Sequence, residues 1–228
     1  MIYTLYHGSP KIIRVPQYGM GNVHNDYGRA FYCTESIKMA KEWAVDEGCD
    51  GYANCYALDG EGLKILDLQN GDYHILNWLA ILLANREFRI ESDVKNRAKT
   101  YVLNTFLPEY EEYDCIRGYR ADDSYFSFAN LFLNNGLSIE KLGEVMKLGG
   151  LGEQFAIKSK SAFERMKFVN AERADSIKYY PFKKKRDENA RNSFRNIKEN
   201  ISEGTYILDI IREEWRNDDE RLQRMLRI

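Results

Sequence analysis

Alternating apolar and polar positions open the chain. Met1 to His7 alternates and is rich in β-formers, which predicts a first strand ended by Gly8-Ser9-Pro10. Residues 16–28 are rich in Pro, Gly, Asn and Asp and read as a loop. Arg29 to Cys33 is a short second strand. Thr34 follows as N-cap of a helix on which Ile37, Ala40, Lys41 and Ala44 recur at helical spacing and which carries Trp43. Further strands are predicted over 51–58, 63–68, 113–119 and 153–159. Helices are predicted over 72–85, 93–106, 124–134 and 138–148, the last capped by Ser138, with a short one at 161–166. Gly149-Gly150-Leu151-Gly152 breaks the pattern before the late strand. From Pro181 the composition changes. Lys183-Lys184-Lys185-Arg186 leads into charged helical stretches, and Ile207, Ile210, Ile211, Trp215, Leu222 and Leu226 form an apolar stripe on the last of them. The pattern predicts an α+β domain over 1–180 and a charged helical extension over 181–228.

Charge adds mainly exclusions. Lysine and arginine nearly balance aspartate and glutamate over 228 residues, for a formal net charge of −2, so a broad basic surface for duplex nucleic acid is not expected. The run 183–186 reads as a solvated linker or as a local phosphate contact. Cys33, Cys49, Cys55 and Cys115 form no C-x-x-C pair, and His7, His24 and His74 are scattered, so no metal is expected and the thiols read as structural in a reducing compartment. No apolar run approaches the ~20 residues that span a bilayer. The expectation is a soluble cytoplasmic protein without a membrane partner. No G-x-G-x-x-G sits on a strand-to-helix turn, so a Rossmann cofactor site is not supported.

Two stretches concentrate candidate chemistry: Tyr6-His7-Gly8-Ser9, and Asp26-Tyr27-Gly28-Arg29-Ala30-Phe31-Tyr32. Gly8 allows a ligand to approach the backbone, and the Ser9 hydroxyl both donates and accepts. Those groups suit a primary carboxamide. His7 can hydrogen-bond a ribose hydroxyl. Tyr32 can stack on a flat heteroaromatic ring, with Trp43 as an opposite wall. Phe31, Tyr32 and Trp43 also read, singly, as core aromatics.

Together these stretches resemble the first two motifs of the ADP-ribosyltransferase fold, in the diphtheria-toxin and poly(ADP-ribose) polymerase branch with its His, Tyr, Glu signature. There the first strand carries H-G-[ST] and the second G-K-G-[IV]-Y-[FL]. Gly28 to Cys33 matches the second, with Arg29 for Lys and Ala30 for the second Gly. Trp43, eleven residues beyond Tyr32, matches a nicotinamide-stacking aromatic. The fuller pattern, including A-K-x-W-A (here Ala40 to Ala44) and A-D-D at 121–123, resembles a bacterial domain family often encoded beside a small antitoxin-like protein. The resemblance covers residues 3 to 170.

The resemblance implies a split β-sheet core with surrounding helices and NAD as substrate. It implies a mono-ADP-ribosyltransferase of bacterial toxin or conflict-system type, with a protein or nucleic acid as acceptor. The alternatives are a weak or inactive NAD or ADP-ribose binding module and an NAD glycohydrolase. Gly8 and Ser9 would hold the carboxamide, Tyr32 and Trp43 the ring, and His7 the adenosine-side ribose. Gly28 would shape the entry to the second strand. Arg29, Arg14 or Lys11 would meet the pyrophosphate. At the third motif Gln154 takes the glutamate position and Glu153 precedes it. Both cannot enter one pocket from a regular strand. Asp122 and Asp123 read as helix-capping charge or as a substitute carboxylate. The C-terminal helices read as a lid, a self-association surface, an antitoxin-docking surface, or a layer packed on their own chain.

Overall fold

Strand β1 (Ile2–Ser9) pairs antiparallel with β3 (Gly51–Asp59), from Ile2 opposite Asp59 to Ser9 opposite Tyr52. Strand β7 (Met166–Ala174) pairs with the other edge of β3, giving a sheet ordered β1-β3-β7. A second sheet is ordered β2 (Phe31–Cys33), β6 (Glu153–Ile157), β5 (Cys115–Tyr119) and β4 (Ile65–Asp67), and its β4–β5 pair is parallel. The sheets join where the amide of Tyr6 donates to the Thr34 carbonyl at 2.8 Å and the amide of Thr34 donates back at 2.9 Å. The mixed α+β architecture agrees with the sequence pattern. This computed structural model describes residues 1–121, 123–148, 153–199 and 203–225.

Both sheets contribute to one apolar core. Leu5 and Leu58 come from the first, Cys33, Cys115, Phe155 and Ile157 from the second, and Ala162 from the short helix α6 (Lys160–Glu164). Strands β3, β5 and β6 are buried at consecutive positions, so both of their faces are covered.

Helix α1 (Ile37–Ala44) begins later than its sequence suggests. Its cap is Ser36, whose hydroxyl accepts from the Met39 amide at 3.3 Å, and not Thr34. The main chain of Thr34 is already committed to Tyr6 across the sheet junction. Strand β7 has no counterpart in the sequence reading. It is a largely exposed edge strand whose Lys, Asn, Glu and Arg mask the alternation.

The composition change at Pro181 falls inside helix α7 (Ser176–Glu199), not between elements. Lys183 donates to the Val45 carbonyl and to Asp46, each at 2.7 Å, while Arg186 grips the buried carboxylate of Glu42 at 2.9 Å. Two members of the basic run therefore fasten α7 beside α1. Lys184 and Lys185 are exposed.

The chain divides into two compact units, neither contiguous. The first comprises residues 1–67, 110–120 and 151–187 and contains the strands named above. The second comprises 68–109, 121–150 and 188–228. Its helices include α2 (Ile75–Asn85), α3 (Asp93–Phe106), α4 (Asp123–Leu133), α5 (Ile139–Leu148), α8 (Ile207–Arg212) and α9 (Glu220–Met225). The division read at residue 181 gives way to this one for a physical reason. Ile207, Ile210, Trp215 and Leu222 are buried, α8 packs on α3, and the Tyr101 hydroxyl donates to the Trp215 carbonyl at 2.8 Å. These four members of the C-terminal stripe are thus covered by their own chain; Leu226 lies outside the described residues. No helix among the described residues is long and apolar enough to cross a membrane.

His74, at the N-cap of α2, is buried with its ring edge-on to Phe106. Neither ring nitrogen has a well-formed hydrogen bond among the described residues; Asn217 beside it offsets burial only in part. Burial pushes its pKa down to about 4. The unfolded chain takes up a proton as pH falls through the ordinary histidine value while the folded chain does not, so stability is full above that value and drains until about pH 4. The expected loss is about 3 kcal/mol. Urea unfolding followed between neutral pH and pH 4 should show it, and His74→Leu should flatten most of the slope. An unchanged slope in that variant would show that His74 is not the source.

Candidate functional site

The two stretches singled out in the sequence lie on neighbouring strands. The His7 ring spans the sheet junction: its Nδ1–H donates to the Tyr32 carbonyl at 2.7 Å, and the ring stacks on Phe31 at 4.3 Å between centroids. Because a carbonyl only accepts, Nδ1 carries the proton and Nε2 keeps its lone pair. Burial lowers the His7 pKa, and the bond to Tyr32 opposes this only partly. His7 is therefore a neutral acceptor at Nε2.

Gly8 is where α1 presses on β1. A Cβ there would collide with the Ala40 carbonyl oxygen and lie 2.9 Å from the Ala44 nitrogen and from Trp43 Cβ. Main-chain groups of an extended strand point alternately to its two edges. Tyr6 spends its amide and carbonyl on Thr34, so those of Gly8 face the same edge, into the gap beside β2. Ser9 is less available than its sequence suggests. Its buried hydroxyl donates to the Lys11 carbonyl and accepts from Asn54 Nδ2 at 3.2 Å. Asn54 also donates to the His7 and Lys11 carbonyls and accepts from the Ile13 amide. The Ser9 hydroxyl thus secures the loop after β1, with its proton committed to Lys11.

On β2, the Tyr32 hydroxyl donates to the Gly28 carbonyl at 2.7 Å and accepts from the Tyr27 amide at 3.0 Å. Gly28 has φ +74° and donates to the Asn25 carbonyl, a turn that only glycine takes without strain. Tyr32 thus clamps the turn that delivers Asp26 and Tyr27 to the interior. The Tyr27 hydroxyl donates to the Tyr119 carbonyl at 2.7 Å.

Strand register separates the two third-motif candidates. Tyr32 lies opposite Ala156, so Gln154, two residues back, shares its face. Buried Gln154 donates from Nε2 to Asp26 at 2.7 Å and to the Tyr119 carbonyl at 3.3 Å. Glu153 lies on the other face, 2.7 Å from Arg117, which also holds Glu35 at 2.9 Å and Asp67 at 3.5 Å. Glu153 is thus a member of an ion-pair cluster on the face opposite to Gln154. Arg29 is exposed, as are Arg14 and Lys11. Asp123 opens α4 in the second unit; Asp122 lies outside the described residues. Asp123 therefore belongs to a different unit from the strands that carry His7, Tyr32 and Gln154.

Trp43 completes the arrangement. The Arg120 guanidinium lies 4.6 Å above its ring, and its buried indole N–H has no hydrogen-bond partner among the described residues. A closed circuit results. It runs from Gly8 to Trp43, Arg120, Tyr119, Gln154 and Asp26, then through Tyr27, Gly28 and Tyr32 back to His7. Asn54, Tyr119 and Arg120 were not picked out from sequence, and Asp26 stood in the second stretch without a role of its own. Only the D-x-G spacing before β2 hinted at Asp26. Chemically the circuit offers a free strand edge, a neutral imidazole acceptor, an aromatic face that takes a planar cation, and an oriented amide.

No curated protein and no solved structure matches the chain. The model of the family described as "Protein of unknown function (DUF3990)" matches residues 3–168, which include the whole circuit, and the chain belongs to that family.

Proposed function

We propose that this chain is an NAD-dependent mono-ADP-ribosyltransferase acting on a protein or nucleic-acid acceptor. The observation that carries the reading is the circuit, in which His7, Tyr32 and Gln154, the three motif positions of the resemblance, are linked by hydrogen bonds through Asp26, Tyr27 and Tyr119. The order β6-β2, then β1-β3, with the two sheets joined by the isolated main-chain bridge between Tyr6 and Thr34, supports a split-sheet core.

On this reading the Gly8 edge holds the nicotinamide carboxamide. The pyridinium ring is a planar cation and stacks on Trp43, a face on which a guanidinium already rests. Nε2 of His7 accepts from the adenosine-side ribose, and Oε1 of Gln154 from a hydroxyl of the nicotinamide ribose. The bond between the anomeric carbon and the ring nitrogen breaks, and its electron pair neutralises the pyridinium. The carbon gains oxocarbenium character until the acceptor's nucleophile bonds to it and gives up its proton. Positioning and charge stabilisation carry most of such a reaction.

Incubation with NAD labelled in the adenosine half should place label on a macromolecule. Free ADP-ribose would instead identify a glycohydrolase. Intact NAD that raises the melting temperature would identify a binding module, a reading favoured by one observation: Gln154 supplies no carboxylate of its own. Trp43→Leu should weaken NAD binding roughly tenfold by calorimetry. Failure of wild-type protein to bind or consume NAD would end the proposal.

A further inference from the structure

We infer that Asp26 is the positioning residue of the site: it fixes the amide of Gln154 with its carbonyl oxygen toward the ligand, and it is the reason glutamine stands at that position. This deepens the proposed function and rests on it for the identity of the ligand. The contact itself is independent of that reading. Both groups that meet the end of the Gln154 side chain, the Asp26 carboxylate and the Tyr119 carbonyl, are pure acceptors. Only the NH2 end of the amide satisfies them, so chemistry dictates the flip. Oε1 is left at the other end of a planar group, on the face shared with Tyr32. Asp26 and Gln154 are both buried, which makes the 2.7 Å charge-assisted bond between them strong and its loss costly.

A glutamate at 154 would set a second carboxylate against Asp26 in the same buried space. Two carboxylates that close cannot both stay ionised; they share a proton or move apart. The aspartate of the second motif and the glutamine of the third are therefore one device. The site keeps a carboxyl group, one amide behind the position where the related branch has glutamate. Gln154 can orient a ribose hydroxyl and pass on the polarising effect of Asp26, but it does not remove a proton from an acceptor. That limits the site to acceptors whose nucleophile is activated elsewhere, and suits transfer of single units.

Four proteins test the device: wild type, Asp26→Asn, Gln154→Glu, and the two changes combined. Melting temperature is followed from pH 5 to pH 8, and NAD binding by calorimetry. Among the described residues, the ionisable side chains on the packed elements include Asp26, Tyr27, Tyr32, Cys33, Cys115, Tyr119, Arg120, His7, Glu153 and Arg117. The phenols are neutral throughout this range, and Glu153 is paired with Arg117 on the opposite face. Gln154→Glu should melt several degrees lower at pH 8 and recover toward pH 5, a dependence added to that of wild type. Asp26→Asn should bind NAD roughly tenfold more weakly, because asparagine presents either end of its amide to Gln154. The combined protein should regain both stability and affinity, since the amide introduced by Asp26→Asn can donate to the glutamate introduced by Gln154→Glu. A Gln154→Glu protein as stable as wild type at pH 8, or a combined protein no better than Gln154→Glu, overturns the inference. If no protein binds NAD, the functional reading fails instead, and the melting data alone decide whether Asp26 imposes glutamine at 154.

Discussion

Gly8→Ala is expected to cost about 4 kcal/mol or more, among the largest effects of any single change in the first unit. The added methyl meets the Ala40 carbonyl, the Ala44 nitrogen and Trp43 Cβ, and two of those three are main chain of a helix. No rotamer change relieves the contact, so α1 must lift from β1. That movement would displace Trp43 and widen the gap at the free edge of Gly8. Gly48→Ala is the useful comparison. Gly48 has φ +68°, but nothing lies near its missing Cβ, so only backbone strain of about 1 kcal/mol is expected. Urea unfolding of the two variants should therefore differ by several-fold in lost stability. Equal and small losses would show that α1 does not bear on β1 as described.

Arg186→Ala is expected to destabilise by about 3–5 kcal/mol, because it strands a buried carboxylate. Glu42 is fully enclosed, and Arg186 reaches it with three hydrogen bonds between 2.9 and 3.2 Å. The pair itself need not be strongly stabilising, since burying both charges costs what their attraction returns. Glu42→Gln combined with Arg186→Met should therefore recover most of the loss. Thermal melting of the single and combined variants checks this. A small loss in Arg186→Ala would mean that Glu42 reaches water, and the anchoring role of the basic run would fall. By contrast, Lys184→Ala should be nearly silent for stability, as the side chain is exposed.

The elements with strong local periodicity were legible. Strand β1, the helix around Trp43 and helix α2 follow from alternation or helical spacing, because burial of one face selects those periods. The edge strand β7 was not, since its pairing is imposed by β3 and not by its own residues. The boundary near Pro181 failed because composition reports solvation, whereas helix α7 is held by Lys183, Arg186 and the Asp50 carboxylate that accepts from the Ser176 amide. The second unit is assembled from three separated segments, and no local pattern encodes which apolar faces will meet.

At the site the division is similar. The sequence by itself determined that His7, Gly8, Tyr32 and Trp43 would lie at strand ends and on the next helix. The resemblance, laid over the late strand, implied an amide at position 154 where that branch has a carboxylate. Only the tertiary structure decided which face Gln154 and Glu153 take, because strand register is set by pairing with β2 and β5. It alone returned the Ser9 hydroxyl to the loop after β1 and brought Asp26 to Gln154 across 128 residues of chain. Contacts of that sequence separation have no local signature. They exist because the Gly28 turn, the Tyr32 clamp and the β2–β6 register together carry a loop carboxylate into the interior, where the amide of Gln154 satisfies it.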